Sequence, residues 1–312
     1  MELRQLRYFI GVCEAGGVLA ASKTLHVAQP ALSQSIASLE DELGVQLFVR
    51  TNRGMTLTEA GRTMLEHAHV VLADIERARS AVQFAAHDIQ GEVVIGLPTT
   101  VALVATIPIL AATREQFPKV KLKLIESHSG FLTEWLRAGR LDLSVLFEAG
   151  SEPGFEYRLM LEERLALVTT PKEAPKSTTV ALHTLASRPL VLPAREHGMT
   201  RVINNACAEN DVHLNVVAEI DSLPNIKKAV LAGMASTILS PGAVADEVQA
   251  GHLVVTTITR PHISRQVTCA TSRGRPTTPA IEAMRSLITE QIRKLVESGG
   301  WPAVWIGETA AR

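Results

Sequence analysis

Residues 20–40 read AASKTLHVAQPALSQSIASLE, and their spacing decides how the first part of the chain folds. Val18 to Leu25 supports a short helix, and His26-Val27-Ala28-Gln29 makes a tight break. Pro30 then marks the start of another helix, because proline at a first helical position has its φ pre-set and lacks only a donor the helix does not use. Ala31, Ile36, Leu39 and Leu43 supply its apolar face, with Leu32 joining in part, and Gly44 stops it. Upstream, Leu3, Leu6, Phe9, Ile10 and Cys13 recur at spacings of three and four and predict a helix that Gly16-Gly17 ends. Three short helices with a four-residue turn between the second and third are the pattern of a helix-turn-helix. Downstream, Leu47-Phe48-Val49-Arg50 and Gly54-Met55-Thr56-Leu57 flank Thr51-Asn52-Arg53 as a hairpin-like wing.

A recognition helix meets base edges with its first residues. Gln29, Pro30, Ser33 and Gln34 occupy that position here, and Ser38 follows one turn on. Glutamine pairs bidentately with adenine, and serine hydroxyls donate or accept. Lys23, Arg50 and Arg53 lie on the flanking segments and suit phosphate contact. A small bundle with solvated polar faces fits the same periodicity. Bulk charge does not separate the two readings, because residues 1–90 hold 8 Lys+Arg against 10 Asp+Glu, a net of −2. That lacks the basic footprint of a nucleic-acid binder. Its distribution weakens the objection, since Glu40, Asp41 and Glu42 sit together at the far end of the third helix.

The whole chain of 312 residues carries 31 Lys+Arg and 32 Asp+Glu, which excludes a polybasic or polyacidic protein but not a local patch. Apolar residues at 46% are enough for a packed core, and aromatics at 4% mean that aliphatic side chains must build it. Cys13, Cys207 and Cys269 are far apart and odd in number, so neither a disulfide framework nor a zinc module is expected. No cofactor or metal is expected, and ten scattered histidines offer no ligand set. Motifs of the G-x-S-x-G, H-E-x-x-H, Walker or G-x-G-x-x-G type are absent, which argues against an enzyme. The longest apolar run, Val101 to Ala112, is too short to span a bilayer at ~20 residues. Glu2 and Glu14 do not suit a secretory leader, so a cytoplasmic protein is the expectation.

Residues 58–88 read as one long helix in which Leu65, Ala68, Leu72, Ile75, Arg79 and Val82 form a stripe. Such a rod needs a partner for that stripe, which implies a dimer; packing on the chain's own C-terminal part is the alternative. From Gly91 the period changes. Strand-like runs at Glu92–Leu97, Val120–Ile125, Leu141–Phe147, Leu165–Thr169, Leu190–Leu192, Val216–Ile220, Ser236–Leu239, Val254–Ile258 and Val267–Thr271 alternate with helical segments. This predicts mostly parallel sheets covered on both faces, with a last helix from about Pro279 to Val296. Trp301 and Trp305 fall in a terminus whose default is disorder, although two tryptophans in five residues suit docking on a partner or on the body.

The run 20–40 resembles the winged helix-turn-helix of LysR-type transcriptional regulators. Leu43-Gly44, Leu47-Phe48, Arg50, Arg53-Gly54 and Leu57-Thr58-Glu59-Ala60-Gly61 continue the likeness at the same spacing. It is strong over residues 1–65 and looser beyond. HVAQPALSQ and RTNRG look most like the nitrogen-assimilation-control subgroup. Gly17 and Ala28 depart from the family, which often has Ser or Thr at these helix caps.

The resemblance implies a fold that is α/β with an all-α N-terminal part. The winged helix-turn-helix takes residues 1–57 and the long linker helix 58–90. A two-lobed effector domain like a type 2 periplasmic binding protein follows, with lobe I at 91–162 and 267–297, lobe II at 163–266, and a tail at 298–312. Thr99, Thr100, Ser129 and Phe147 would line the cleft from lobe I, and Arg195, His197, Gly198 and Thr200 from lobe II. Arg195 is the sharpest candidate there, because a guanidinium near hydroxyls suits a carboxylate or similar small anion. Implied partners are double-stranded promoter DNA, a second copy of the chain in a dimer or dimer of dimers, a small-molecule effector, and RNA polymerase, with no membrane. A regulator without an effector and a solute-binding protein are the alternatives.

Overall fold

A computed structural model describes residues 1–51, 54–83, 89–147, 153–194, 197–275 and 277–307. They form two compact units, one built on residues 1–87 and one holding most of the remainder.

In the first unit, α1 (Leu3–Ala15), α2 (Val18–Thr24) and α3 (Gln29–Leu43) precede a two-stranded antiparallel wing, β1 (Phe48–Thr51) and β2 (Gly54–Leu57). The long helix α4 (Glu59–Gln83) follows. Gly16 and Gly44 end α1 and α3 in the left-handed conformation, and His26 makes the turn before α3 with φ 54°. Helix α3 starts one residue earlier than proline placement suggests, at Gln29. Its core face is Leu32, Ile36 and Leu39, at spacings of four and three. Leu32 is fully buried, whereas Ala31 is exposed and Leu43 is 39% exposed. Ala31 lies about 100° around the helix from Leu32, on the outward side with Gln34 and Ser38.

Around these side chains close Leu6, Phe9, Val12, Ala21, Leu47 and Phe48. The first half of α4 packs on the same core through Met64, Leu65, Ala68 and Leu72. Half of the stripe assigned to a partner is therefore covered within the N-terminal unit itself. Thr58 caps α4 by accepting from Gly61 N at 2.9 Å. Any Cβ at Gly61 would lie 2.1 Å from Leu47 O, so only glycine allows this approach.

The second unit contains two lobes. Lobe I is built on β3 (Gly91–Pro98), α5 (Thr99–Gln116), β4 (Val120–Ser127), α6 (Ser129–Arg137), β5 (Leu143–Phe147) and β6 (Phe155–Arg164). Lobe II follows with β7 (Ala166–Thr169), β8 (Thr179–Ala181), β9 (Leu190–Leu192), α7 (Gly198–Glu209), β10 (Val216–Glu219), α8 (Leu223–Leu231), β11 (Thr237–Leu239), α9 (Ala245–Gln249) and β12 (Val254–Thr259). The chain returns to lobe I as β13 (Ser264–Ser272), α10 (Pro279–Glu297) and β14 (Ala303–Trp305).

The lobe I sheet has the order β14-β6-β13-β5-β3-β4. It is mixed rather than mostly parallel: β3 pairs in parallel with β4 and β5, whereas β13 and β14 pair antiparallel. The antiparallel half arises because β6 leaves for lobe II and β13 returns beside it. Helices cover both faces. Ile95, Val145 and Val267 bury against α5 and α10, while Leu146 and Ala270 bury against Leu132 and Leu136 of α6. Lobe II has its own core around Leu167, Leu192, Ile203, Ile226 and Ile238.

The terminus resolves in favour of docking on the body. Trp301 is 1% exposed, and β14 extends the lobe I sheet by pairing with β6. Among the described residues no helix is long and apolar enough to cross a membrane.

Candidate functional site

Two surfaces collect the expected functional residues. On the N-terminal unit, α2, the His26 turn and α3 set out Lys23, Gln29, Pro30, Gln34 and Ser38 as exposed residues, with Ser33 half-buried. Their side chains make no hydrogen bond or ion pair within the protein among the described residues. Neither Gly17 nor Ala28, the caps of α2 and α3, makes a side-chain capping bond. Two of the three acids behind this face are engaged elsewhere: Glu40 Oε1 accepts from Leu47 N at 2.7 Å and Phe48 N at 3.2 Å, and Glu42 pairs with the N-terminal amine. Glu40 thereby ties α3 to the wing. Arg53 and the side chain of Arg50 lie outside the described residues.

The second surface is the crossing between the lobes. Thr99 and Thr100 begin α5, Ser129 begins α6, and Phe147 ends β5, so all four sit at the ends of parallel strands or the helices that follow. Thr100 is not the cap of α5, a position held by Pro98. Instead its Oγ1 accepts from Arg265 Nη2 at 3.2 Å. The Arg265 guanidinium also lies 3.3 Å over the Phe147 ring centroid. Arg265 Nε donates to Glu163 Oε1 at 2.5 Å, across a register in which the two residues are direct partners of β13 and β6. Both side chains are almost wholly buried. Among the described residues, Arg265 Nη1 is buried with no hydrogen-bond partner.

From lobe II, His197 caps α7 by accepting from Met199 N through Nδ1 at 3.1 Å. Its ring meets His128 edge-on, with centroids 4.9 Å apart. Burial, followed by the nearby His128 and Arg265, lowers the His197 pKa to about 4. The ring is therefore neutral at pH 7, and an accepting Nδ1 leaves the proton on Nε2. Gly198 opens α7 beside it. Thr200 departs from expectation: it is buried and donates to Pro193 O at 3.0 Å, so its hydroxyl serves lobe II packing. Arg195 lies outside the described residues. Arg265, at the border assigned between the lobes, is the cation found among Thr100, Phe147 and His197.

A helix-turn-helix unit followed by a two-lobed α/β domain, with a buried Arg265–Glu163 pair where the chain crosses between the lobes, defines the class of DNA-binding regulators that carry an effector-type domain. Residues 3–62 match the bacterial regulatory helix-turn-helix protein model of the lysR family, and residues 86–293 match the LysR substrate binding domain model. The chain belongs to the LysR family of DNA-binding transcriptional regulators. It is 32% identical over 295 residues to the nitrogen assimilation regulatory protein nac of Klebsiella aerogenes, covering 94% of this chain and 96% of that one. The corresponding protein of Escherichia coli K12 is 31% identical, covering 97% and 100%. These likenesses agree with the nitrogen-assimilation-control subgroup. Among solved structures, a full-length single-substitution variant of OxyR from Pseudomonas aeruginosa aligns with TM-score 0.75 at 22% identity over 99% of both chains. CbnR complexed with its target DNA aligns with TM-score 0.70 at 24% identity, covering 94% of this chain and 99% of that one.

Proposed function

We propose that this regulator acts in the cytoplasm as a dimer, paired into a tetramer, and that a small carboxylate or similar anion binding between the lobes controls it. The observation that carries this reading is Arg265 Nη1, a charged donor buried without a partner beside Thr100 and Phe147. Leaving such a donor unmet costs ~1–3 kcal/mol, which an incoming carboxylate recovers. Thr99, Ser129, the His197 Nε2–H and Gly198 complete the candidate set, and Arg195 remains in it on its position in the chain. Arg265 replaces Arg195 as the principal anion ligand.

At the DNA end, Gln29, Pro30, Ser33, Gln34 and Ser38 read bases, while Lys23, Arg50 and Arg53 hold phosphate. Exposed Ala31 joins the reading face, where it suits a thymine methyl group. Self-association is supported by Leu103, Ile107 and Leu110, which form an exposed apolar stripe on α5 at spacings of four and three. Paired heads then read an inverted repeat, and a ligand that favours one of two assembly geometries changes their spacing and the DNA bend. RNA polymerase is a further partner in this reading, and the chain turns over no substrate.

An effector-independent regulator is the second reading, favoured by Glu163, which already neutralises Arg265. Thermal unfolding of the full-length protein with a panel of small mono- and dicarboxylates separates the two. The first reading expects stabilisation that Arg265→Lys and Thr100→Val both reduce. Its absence across the panel favours the second.

A further inference from the structure

The segment after α10 is wired into the interlobe network. Trp301 Nε1 donates to Glu163 Oε2 at 2.8 Å, and Ser240 Oγ donates to the same oxygen at 2.6 Å. The other oxygen holds Arg265. One buried carboxylate therefore collects donors from the C-terminal segment, the end of β11 in lobe II, and the returning strand β13.

The surroundings of Trp301 are equally specific. It belongs to the lobe I core, yet a Cβ added at Gly242 of lobe II would lie 3.3 Å from Val104 and 3.5 Å from Trp301. The indole thus stands where α5 meets the Pro241–Val244 turn. Behind it, β14 pairs Ala303 with Glu163 and Trp305 with Leu161. Ile306 N and Gly307 N both donate to Met160 O, at 2.9 and 2.8 Å. Met160 is the extra residue of a β-bulge in β6, where Val267 faces Leu161 and Thr268 faces Leu159. The last described residues hold the stretch of β6 that carries Glu163.

We infer that Trp301 is a positioning residue of the interlobe site: by holding Glu163 Oε2 it orients the carboxylate that presents Arg265 to an anion. A carboxylate turns easily about its last side-chain bond, because that torsion is broad. With Oε2 held by Trp301 and Ser240, Oε1 stays on Arg265 Nε, and the guanidinium stays over Phe147 with Nη1 unclaimed. A partly satisfied buried network loses this alignment. This inference rests on the reading of Arg265 as the anion ligand.

The test uses full-length wild type, Trp301→Phe and Trp305→Phe, each crystallised and each titrated with acetate as the anion probe. Trp305 is the control, because its Nε1 already lacks a partner. The expected result is an Arg265 guanidinium displaced from Phe147 and Thr100 in W301F, with acetate affinity about tenfold weaker, and neither change in W305F. Arg265 and Glu163 unmoved in W301F would overturn the positioning role, whatever acetate does. No acetate binding by wild type counts against the anion reading alone, and the crystal comparison still decides the role of Trp301. Should W301F fail to fold, wild type and Arg265→Lys labelled with 5-fluorotryptophan give the reciprocal test. R265K is expected to shift the Trp301 fluorine resonance and leave that of Trp135 in place; an unmoved Trp301 resonance overturns the coupling.

Discussion

The exposed face of α3, proposed to read DNA, and the crossing between the lobes, proposed to hold an anion, face opposite problems. Gln29, Gln34 and Ser38 stand in solvent with no internal partner, while Glu163 and Arg265 are buried and hold one another. DNA brings its own dense charge and its own pattern of donors and acceptors, so neutral, solvated side chains on one helix end suffice to read it. A small ligand brings a few atoms and must be gripped where water is excluded, which requires charge that the protein keeps balanced in the ligand's absence. The first design should accept substitution at little cost in stability, whereas removing one partner of the second should cost far more.

That contrast sets the size of each expected effect. Glu163→Ala should be the most damaging change, since it leaves Arg265 buried with no counter-charge and costs about 3–5 kcal/mol by chemical denaturation. A loss below about 1 kcal/mol would place Arg265 in contact with water and remove the contrast. Next, Gln34→Ala should leave folding unchanged and lower specific DNA affinity by about tenfold, with binding to scrambled duplex unaltered, as read by fluorescence anisotropy. Equal losses on both duplexes would make Gln34 a backbone contact.

A third expectation concerns pH. His197 is held at about 4 against an ordinary 6.5, so between those values the unfolded chain takes up a proton that the folded chain refuses. Stability falls as pH drops through that window. His197→Asn keeps a capping side chain and should flatten this part of the curve relative to wild type. The smallest effect lies back on the head, where Ala28→Ser supplies the missing cap of α3 and should raise stability by about 1 kcal/mol. An unchanged melting temperature would show that the α3 amides are already satisfied.

The head was legible because its signals are local. Glycine stops, the Pro30 start and the i, i+4, i+7 apolar spacing all act within one or two helical turns. The phase error at Ala31 and Leu32 shows the limit, since two adjacent apolar residues compete for one face and only packing chooses between them. Strand β6 escaped notice because Glu156, Arg158, Glu162, Glu163 and Arg164 put five charges into ten residues, although β13 and β14 flank it. Strand β14, three residues beginning just after Pro302, fell in a terminus whose default is disorder.

Arg265 escaped the sequence reading for a related reason. Arg195 stands near hydroxyls in sequence, whereas Arg265 reaches Glu163 across 102 positions. A signal did exist: Glu163 and Arg265 each stand two residues before a run read as a strand, at the two points where the chain changes lobe. Opposite charges at paired crossings are a pattern of topology, visible once both strands are drawn side by side.

The most direct test of the division between these regions is calorimetric titration of the best carboxylate into wild type and Arg265→Lys, with operator DNA affinity measured on both ligand-free proteins. The predicted result is carboxylate binding weakened at least about tenfold by R265K with ligand-free DNA affinity unchanged. Equal carboxylate affinity in the two proteins, or a matching loss of DNA binding in R265K, would contradict it.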